Sequence, residues 1–315
     1  IMDLRIGYLL PTREGVMEDR HEAAPITDLA ARAEACGLDS VWIGDSVLAK
    51  PRHDPLIMLA AIAGRTKTIG MGTAVLLPLL RNPVLLAQQL ATLDQAAEGR
   101  FIVGIGIGND LPAVRAEFEA VGVPFEKRVG RLIEAFQLCK ALWSGEPVDW
   151  DGRWTLRDSV LGPKPHTSGG PPIWAAGDPP IALKRCARYF DGWFPSGPSD
   201  AAVWATRWAE VQGYAQEAGR DPGSLTGAAY LTLSINDDGA AADDRLNYYL
   251  EQYYLQPAEV IRRRQGCYTG PQAGAIDWLR GFVVGGATHL ALRLIGNHER
   301  NIEIAAQIRS ELHAD

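Results

Sequence analysis

Eight short apolar, β-branched runs recur along the chain, and an amphipathic helical pattern fills most of the gaps between them. The strand candidates are Leu4–Leu9, Ser40–Ile43, Ile69–Leu76, Phe101–Ile105, Pro172–Ala175, Gly192–Phe194, Thr226–Ile235 and Thr288–Leu294. The first four begin roughly 30 residues apart, close to one strand–helix unit each. Ile26, Leu29, Ala30 and Ala33 share one helical face before a stop at Gly37. Leu132, Ala135, Phe136, Cys139 and Leu142 repeat the pattern before Gly145, as do Trp204, Trp208, Val211 and Ala215 before Gly219. Strands alternating with crossover helices pair in parallel. The pattern predicts an α/β fold, a (β/α)8 TIM barrel forming a single domain over residues 1–315. A doubly wound open sheet is the rival. The count of eight favours the barrel, and so does the lack of a GxGxxG turn after the first strand, which ends in Leu10-Pro11-Thr12.

Two connections exceed a plain unit, giving insertions after strands 4 and 7. Residues 143–172 are expected to hold a β-hairpin around Asp151-Gly152. Residues 237–274 are expected to hold a helix rich in tyrosine (Tyr248, Tyr249, Tyr253, Tyr254) and then a loop with Gly266 and Gly270-Pro271. Long insertions in a barrel are lids and substrate loops. The net charge of -7 disfavours nucleic acid and anionic membranes as partners. No run approaches the ~18 apolar residues of a membrane span. Asp3 and Arg5 interrupt the apolar start, so no signal peptide is read. The four cysteines are dispersed as reduced thiols would be, and a cytoplasmic location is expected. The six histidines make no metal pattern.

In barrel enzymes the functional groups stand just past the C-terminal ends of the strands. Asp45, after Trp42-Ile43-Gly44, is either a ring-binding carboxylate or a turn aspartate. Gly104, Gly106 and Gly108 leave one face of the fourth strand bare, able to accept a flat ring. Gly177 leads into a helix whose N-terminus suits a phosphate, although Asp178 would repel a dianion if it pointed inward; Asp178 as a helix N-cap is the alternative. His53 lies on the loop after strand 2, and Arg293 near the end of strand 8 is either an anion ligand or a salt-bridged rim residue. A lyase or glycosidase would need a carboxylate pair. Glu117/Glu119 is the candidate, and it is better explained as a solvated helix face. No GxSxG points to a serine hydrolase.

These segments, in order, resemble the bacterial-luciferase-like superfamily of flavin- and deazaflavin-dependent oxidoreductases. The resemblance rests on Leu38–Asp45, Gly72–Leu76 with Pro83, Ala91–Asp94 through Gly99-Arg100-Phe101, Gly104–Gly108, Glu117-Phe118 with Gly122–Phe125, Leu142-Trp143, Pro172–Gly177 and Asp191–Trp193. It implies a cofactor ring across the strand ends. Asp45 would meet the ring's pyrimidine side, with a cis Ala74–Val75 peptide behind the ring and Gly106, Ile107, Gly108 and Asn109 at its flank. Ala176, Gly177 and Asp178 would approach the cofactor phosphate. Sugar-phosphate dehydrogenases of this superfamily carry a histidine after the strand 2 aspartate and a glutamate after the strand 4 glycines. Here those positions are Ser46 and Asn109, neither a competent acid or base near neutral pH. The first expectation is therefore a reduced-FMN-dependent monooxygenase acting on a small organic substrate, with Ser46, Asn109 and His53 as the candidate catalytic residues. The alternatives are a coenzyme F420-dependent oxidoreductase and a non-catalytic flavin-binding relative. The resemblance also implies a homodimer and a separate flavin or F420 reductase.

Overall fold

The computed structural model describes residues 4–314. Eleven strands are present among them: β1 (Arg5–Leu9), β2 (Ser40–Ile43), β3 (Gly70–Thr73), β4 (Phe101–Ile105), β5 (Val148–Asp151), β6 (Thr155–Ser159), β7 (Ile173–Ala175), β8 (Gly192–Trp193), β9 (Thr226–Ile235), β10 (Gly266–Gly270) and β11 (His289–Leu294). Eight of these, β1-β2-β3-β4-β7-β8-β9-β11, pair in parallel in that order, and β11 pairs back onto β1. The sheet is a closed (β/α)8 barrel. The insertions fall where expected: β5 and β6 form an antiparallel hairpin after β4, and the tyrosine-rich helix Gly239–Tyr254 follows β9.

Two strand expectations need correction. The third strand does not run to Leu76 but stops at Thr73, because the chain leaves the sheet at a cis Ala74–Val75 peptide. It touches β4 again where Leu76 bridges Ile105. The expected loop around Gly266 is instead β10, a ninth parallel strand. It pairs with the upper half of β9, on the edge whose lower half pairs with the two-residue β8.

Helices pack outside the strands over a continuous apolar layer, and a second apolar cluster fills the barrel. The inner cluster is aromatic. Trp42 stacks on Trp174 at 5.5 Å between ring centroids and lies 4.9 Å from Phe194. His289 meets both indoles edge-on, and its Nε2 lies 2.7 Å from Ser40 Oγ, at the N-terminal floor. A bulky ring at position 42 fits because its neighbours are bare. A Cβ on Gly7 or Gly72 would collide with the Trp42 side chain. Register makes this work: Trp42 is the partner of Leu9 on one side and Gly72 on the other, so all three point inward.

Trp42 is fully buried. Trp42→Ala is expected to lower unfolding stability by about 3–5 kcal/mol in a denaturant titration, the cost of emptying a packed aromatic site. A loss below about 1 kcal/mol would mean that the barrel does not depend on this plug.

Candidate active site

Every barrel strand runs toward the same mouth, and the following helix returns, so the first turns of the helices also face it. The aromatic plug ends upward at Ala74 and Val75, which pack on it while remaining partly exposed. Gly106, beside Val75, is also partly exposed, as are Ile107 and Gly108, and Asn109 is exposed. Small and apolar residues partly exposed at the strand ends suit a planar ring. The bare face of β4 itself serves a different neighbour. A Cβ on Gly104 would strike the Thr73 carbonyl, and one on Gly106 would lie 2.8 Å from Val75 Cγ2. These glycines make room for the departing β3 chain, which then forms the floor.

Asp45 is buried at the end of β2. Its Oδ2 accepts from the Leu77 amide at 3.0 Å and from Arg81 Nη1 at 2.6 Å, while Oδ1 accepts from Arg81 Nη2 at 3.2 Å. Its carboxylate thus ties β2 to the chain leaving β3. Ser46 Oγ donates to Glu117 Oε1 at 2.9 Å and accepts from the Lys50 amide at 2.8 Å. Glu117 overturns the solvated-face reading, for it is fully buried, whereas Glu119 is exposed. Its Oε1 also gathers the amides of Val47, Leu48 and Ala49. One carboxylate oxygen therefore shapes the whole 46–50 loop, while Glu117 Oε2 is buried with no partner.

At the β7 end, Gly177 holds φ +122, and its carbonyl accepts from Trp193 Nε1 at 2.9 Å. The helix Pro180–Tyr189 follows with Pro179 as its N-cap and no side-chain cap bond, so Asp178 does not cap it. The Asp178 carboxylate instead lies 3.5 Å from Arg207 Nε, which leaves the helix N-terminus open to an anion. Arg128 and Arg131, in the first turns of the helix Arg128–Leu142, keep buried Nε atoms without partners. Arg185 stands on the neighbouring helix, where burial and the Arg128 charge lower its pKa. Small and apolar strand ends and an open helix N-terminus are features that a ring with an anionic tail would need.

A second group of charges stands across the mouth and was not assembled by sequence reading. Arg13, Lys50, Arg52 and Arg293 converge on the tyrosines of the helix Gly239–Tyr254. Tyr253 Oη accepts from Arg52 Nη1 and Arg293 Nη2, both at 2.9 Å, and Tyr254 Oη accepts from Arg293 Nη1 at 3.2 Å. The Arg293 guanidinium lies 4.2 Å from the centre of the Tyr253 ring, with Arg13 at 5.3 Å and Arg52 at 5.4 Å from the same ring. Lys50 Nζ lies 5.0 Å over Tyr254. Burial, followed by the charges of Arg52, Arg13 and Arg293, pushes the Lys50 ammonium down to about 8. Among the described residues none of the four forms an ion pair. Burying an ion costs several kcal/mol, and a cation–π contact returns about 0.5–2 kcal/mol. The group is thus undercompensated in charge.

His53 lies apart from the ring floor. It lines a cavity of about 520 Å³ outside the tyrosines, with Glu14, Arg245, Tyr248, Tyr249 and His298. Ala74, Val75, Gly106 and Gly177 are absent from its wall. Asn109 makes no side-chain hydrogen bond among the described residues. No cluster of three or more His, Cys, Asp or Glu among them could hold a metal ion, and no described helix is long and apolar enough to cross a membrane.

Known proteins resemble this chain over nearly its whole length. The family model described as luciferase-like monooxygenase matches residues 4–313. An F420-dependent glucose-6-phosphate dehydrogenase from Kineococcus radiotolerans is 31% identical, covering 92% of this chain and 93% of its own. An F420-dependent secondary alcohol dehydrogenase, solved with an F420–acetone adduct, superposes with a TM-score of 0.78 at 22% identity, covering 98% of both chains. The monooxygenase RslO1 from Streptomyces bottropensis superposes with a TM-score of 0.79 at 20% identity, over 98% of both chains. The chain belongs to the luciferase-like monooxygenase family and is an oxidoreductase that works with a flavin or the deazaflavin F420.

Proposed function

We propose that this enzyme uses coenzyme F420 and transfers a hydride between it and a small organic substrate. The observation that carries this reading is the near full-length similarity to F420-dependent dehydrogenases, which favours the deazaflavin over the reduced FMN first expected. When bound, the deazaflavin supplies a two-electron hydride donor or acceptor. The chain's residues do the rest. Ala74, Val75 and Ile107 hold the ring flat, Gly177 and the open helix N-terminus take the phosphate, and Asp45 fixes the floor through Arg81 and the Leu77 amide.

A hydride moving to or from a carbon–oxygen bond needs a proton moved at the oxygen. Ser46 has both of its hydrogen-bonding roles occupied, and Asn109 does not titrate. Neither suits the part that a histidine and a glutamate play in sugar-phosphate dehydrogenases, so glucose 6-phosphate is not the substrate proposed. Lys50 stands at the mouth with its pKa brought down to about 8, and it is the residue to which we assign the proton.

Tryptophan quenching of the apoprotein should report F420 binding at least about tenfold tighter than FMN binding; tighter FMN binding would overturn the deazaflavin reading. Gly177→Val should weaken F420 binding about tenfold or more with the near-ultraviolet circular dichroism retained. The native φ of +122 excludes an L side chain, and the new Cβ would lie 2.9 Å from that of Ala182. Unchanged affinity in that variant would move the phosphate seat elsewhere. Competitive labelling with acetic anhydride, read by mass spectrometry across pH, should give Lys50 a midpoint of about 8. Exposed lysines should titrate at about 10.4. A Lys50 midpoint equal to theirs would remove it from the proton path.

A further inference from the structure

We propose that the substrate of this enzyme carries an oxyanion group, a phosphate or a carboxylate, which Arg13, Arg52 and Arg293 bind at the mouth of the barrel. The assignment of that anion to a substrate rests on the F420 reading above; the anion site itself rests on geometry. Three arginines and Lys50 come together from the ends of β1, β2 and β11. Arg13 and Arg293 are buried, and Arg52 and Lys50 are partly so.

Two carboxylates stand within electrostatic reach, and each is tied elsewhere through one oxygen. Glu14 accepts from Tyr249 Oη at 2.6 Å, and Glu117 Oε1 holds the 46–50 loop. Burial pushes the Tyr230 and Tyr249 hydroxyls well above the ordinary tyrosine range, so these phenols supply no negative charge. Four cations thus face two carboxylates, and two positive charges are left over.

The hydrogen bonds show where an anion would sit. Tyr253 Oη lies between Arg52 and Arg293 and accepts from both. The phenol offers a single oxygen to two guanidinium groups, where an oxyanion would offer two or three. Two further polar atoms await a partner: Arg13 Nε is buried and unpartnered, and so is Thr232 Oγ1. Thr232 is the register partner of Arg293 across β9 and β11, so its side chain points into the barrel beside the guanidinium. The site also adjoins the ring floor. A Cβ on Gly44 would collide with Arg52 Nη1 and lie 3.3 Å from the Ala74 carbonyl. An anion held by Arg52 would therefore keep the body of its molecule over the floor formed by Ala74 and Val75. The Tyr253 hydroxyl is the group displaced when the anion arrives.

The test uses the apoprotein and two probes, inorganic phosphate and malonate, in calorimetric titrations with potassium chloride holding the ionic strength constant. At least one probe should bind saturably. Arg52→Met and Arg13→Met should each weaken that binding at least about tenfold, the loss of one charge-assisted contact. Phosphate preferred over malonate would assign a phosphoryl substrate, and the reverse a carboxylate. Tyr253→Phe keeps all the cations and removes the competing hydroxyl, so it should leave binding unchanged or tighten it. F420 affinity should stay within about twofold of the parent in Arg13→Met, which stands away from the Gly177 turn. Probe binding no stronger than that of chloride would overturn the proposal. So would a parallel loss of F420 affinity in Arg13→Met, which would give the cations to the cofactor. Probe binding intact in a protein that fails to bind F420 would keep the anion site and sink the cofactor reading instead.

Discussion

The contact between the Trp42 indole and the bare backbones of Gly7 and Gly72 sets the height of everything above it. With the indole seated, Trp174, Phe194 and His289 pack round it, and the barrel is filled from its N-terminal floor to the level of Ala74 and Val75. What remains above is a shallow apolar floor rather than a pore. The departure of β3 at Ala74 supplies that floor, and the β4 glycines matter because they let the departing chain lie close. Inner packing and the proposed cofactor seat are therefore one construction. A larger residue at position 72 would disturb both.

Polar physics governs the rim. A single oxygen of Glu117 collects a hydroxyl and three amides and so decides the course of residues 46–50. That loop then delivers Lys50 and Arg52 toward the helix Gly239–Tyr254. The same helix offers aromatic faces and hydroxyls but no carboxylate to these cations. Rings can hold guanidinium groups in place, yet they cannot neutralise them. The two sides of the mouth thus differ in kind: an open backbone turn at Gly177, and crowded cations around Tyr253.

The strands were legible wherever a β-branched run is bounded by turn residues, as at Phe101–Ile105 and Thr226–Ile235. The end of β3 was overrun because hydrophobic pattern carries no mark of a cis peptide. Strand β10 was missed because Gly266 and Gly270 bracket only three residues, beside an arginine triplet that reads as helix or loop. Glu117 was misjudged from its charged neighbours Arg115 and Glu119. Its spacing from Val114 and Phe118, three residues and one, places it on the buried face of that helix. The cation group could not be assembled from sequence, since only barrel closure brings residues 13, 50, 52 and 293 together. The resemblance implies a ring over these strand ends, but the partners that occupy Asp45 and Ser46 emerge only from the packed structure.

Native mass spectrometry of the protein, purified from a host that makes F420, tests the central claim most directly. The account predicts a bound species with the mass of F420, spread into a ladder whose steps are single glutamates of the cofactor tail. A bound species with the mass of FMN, and no such ladder, would contradict it.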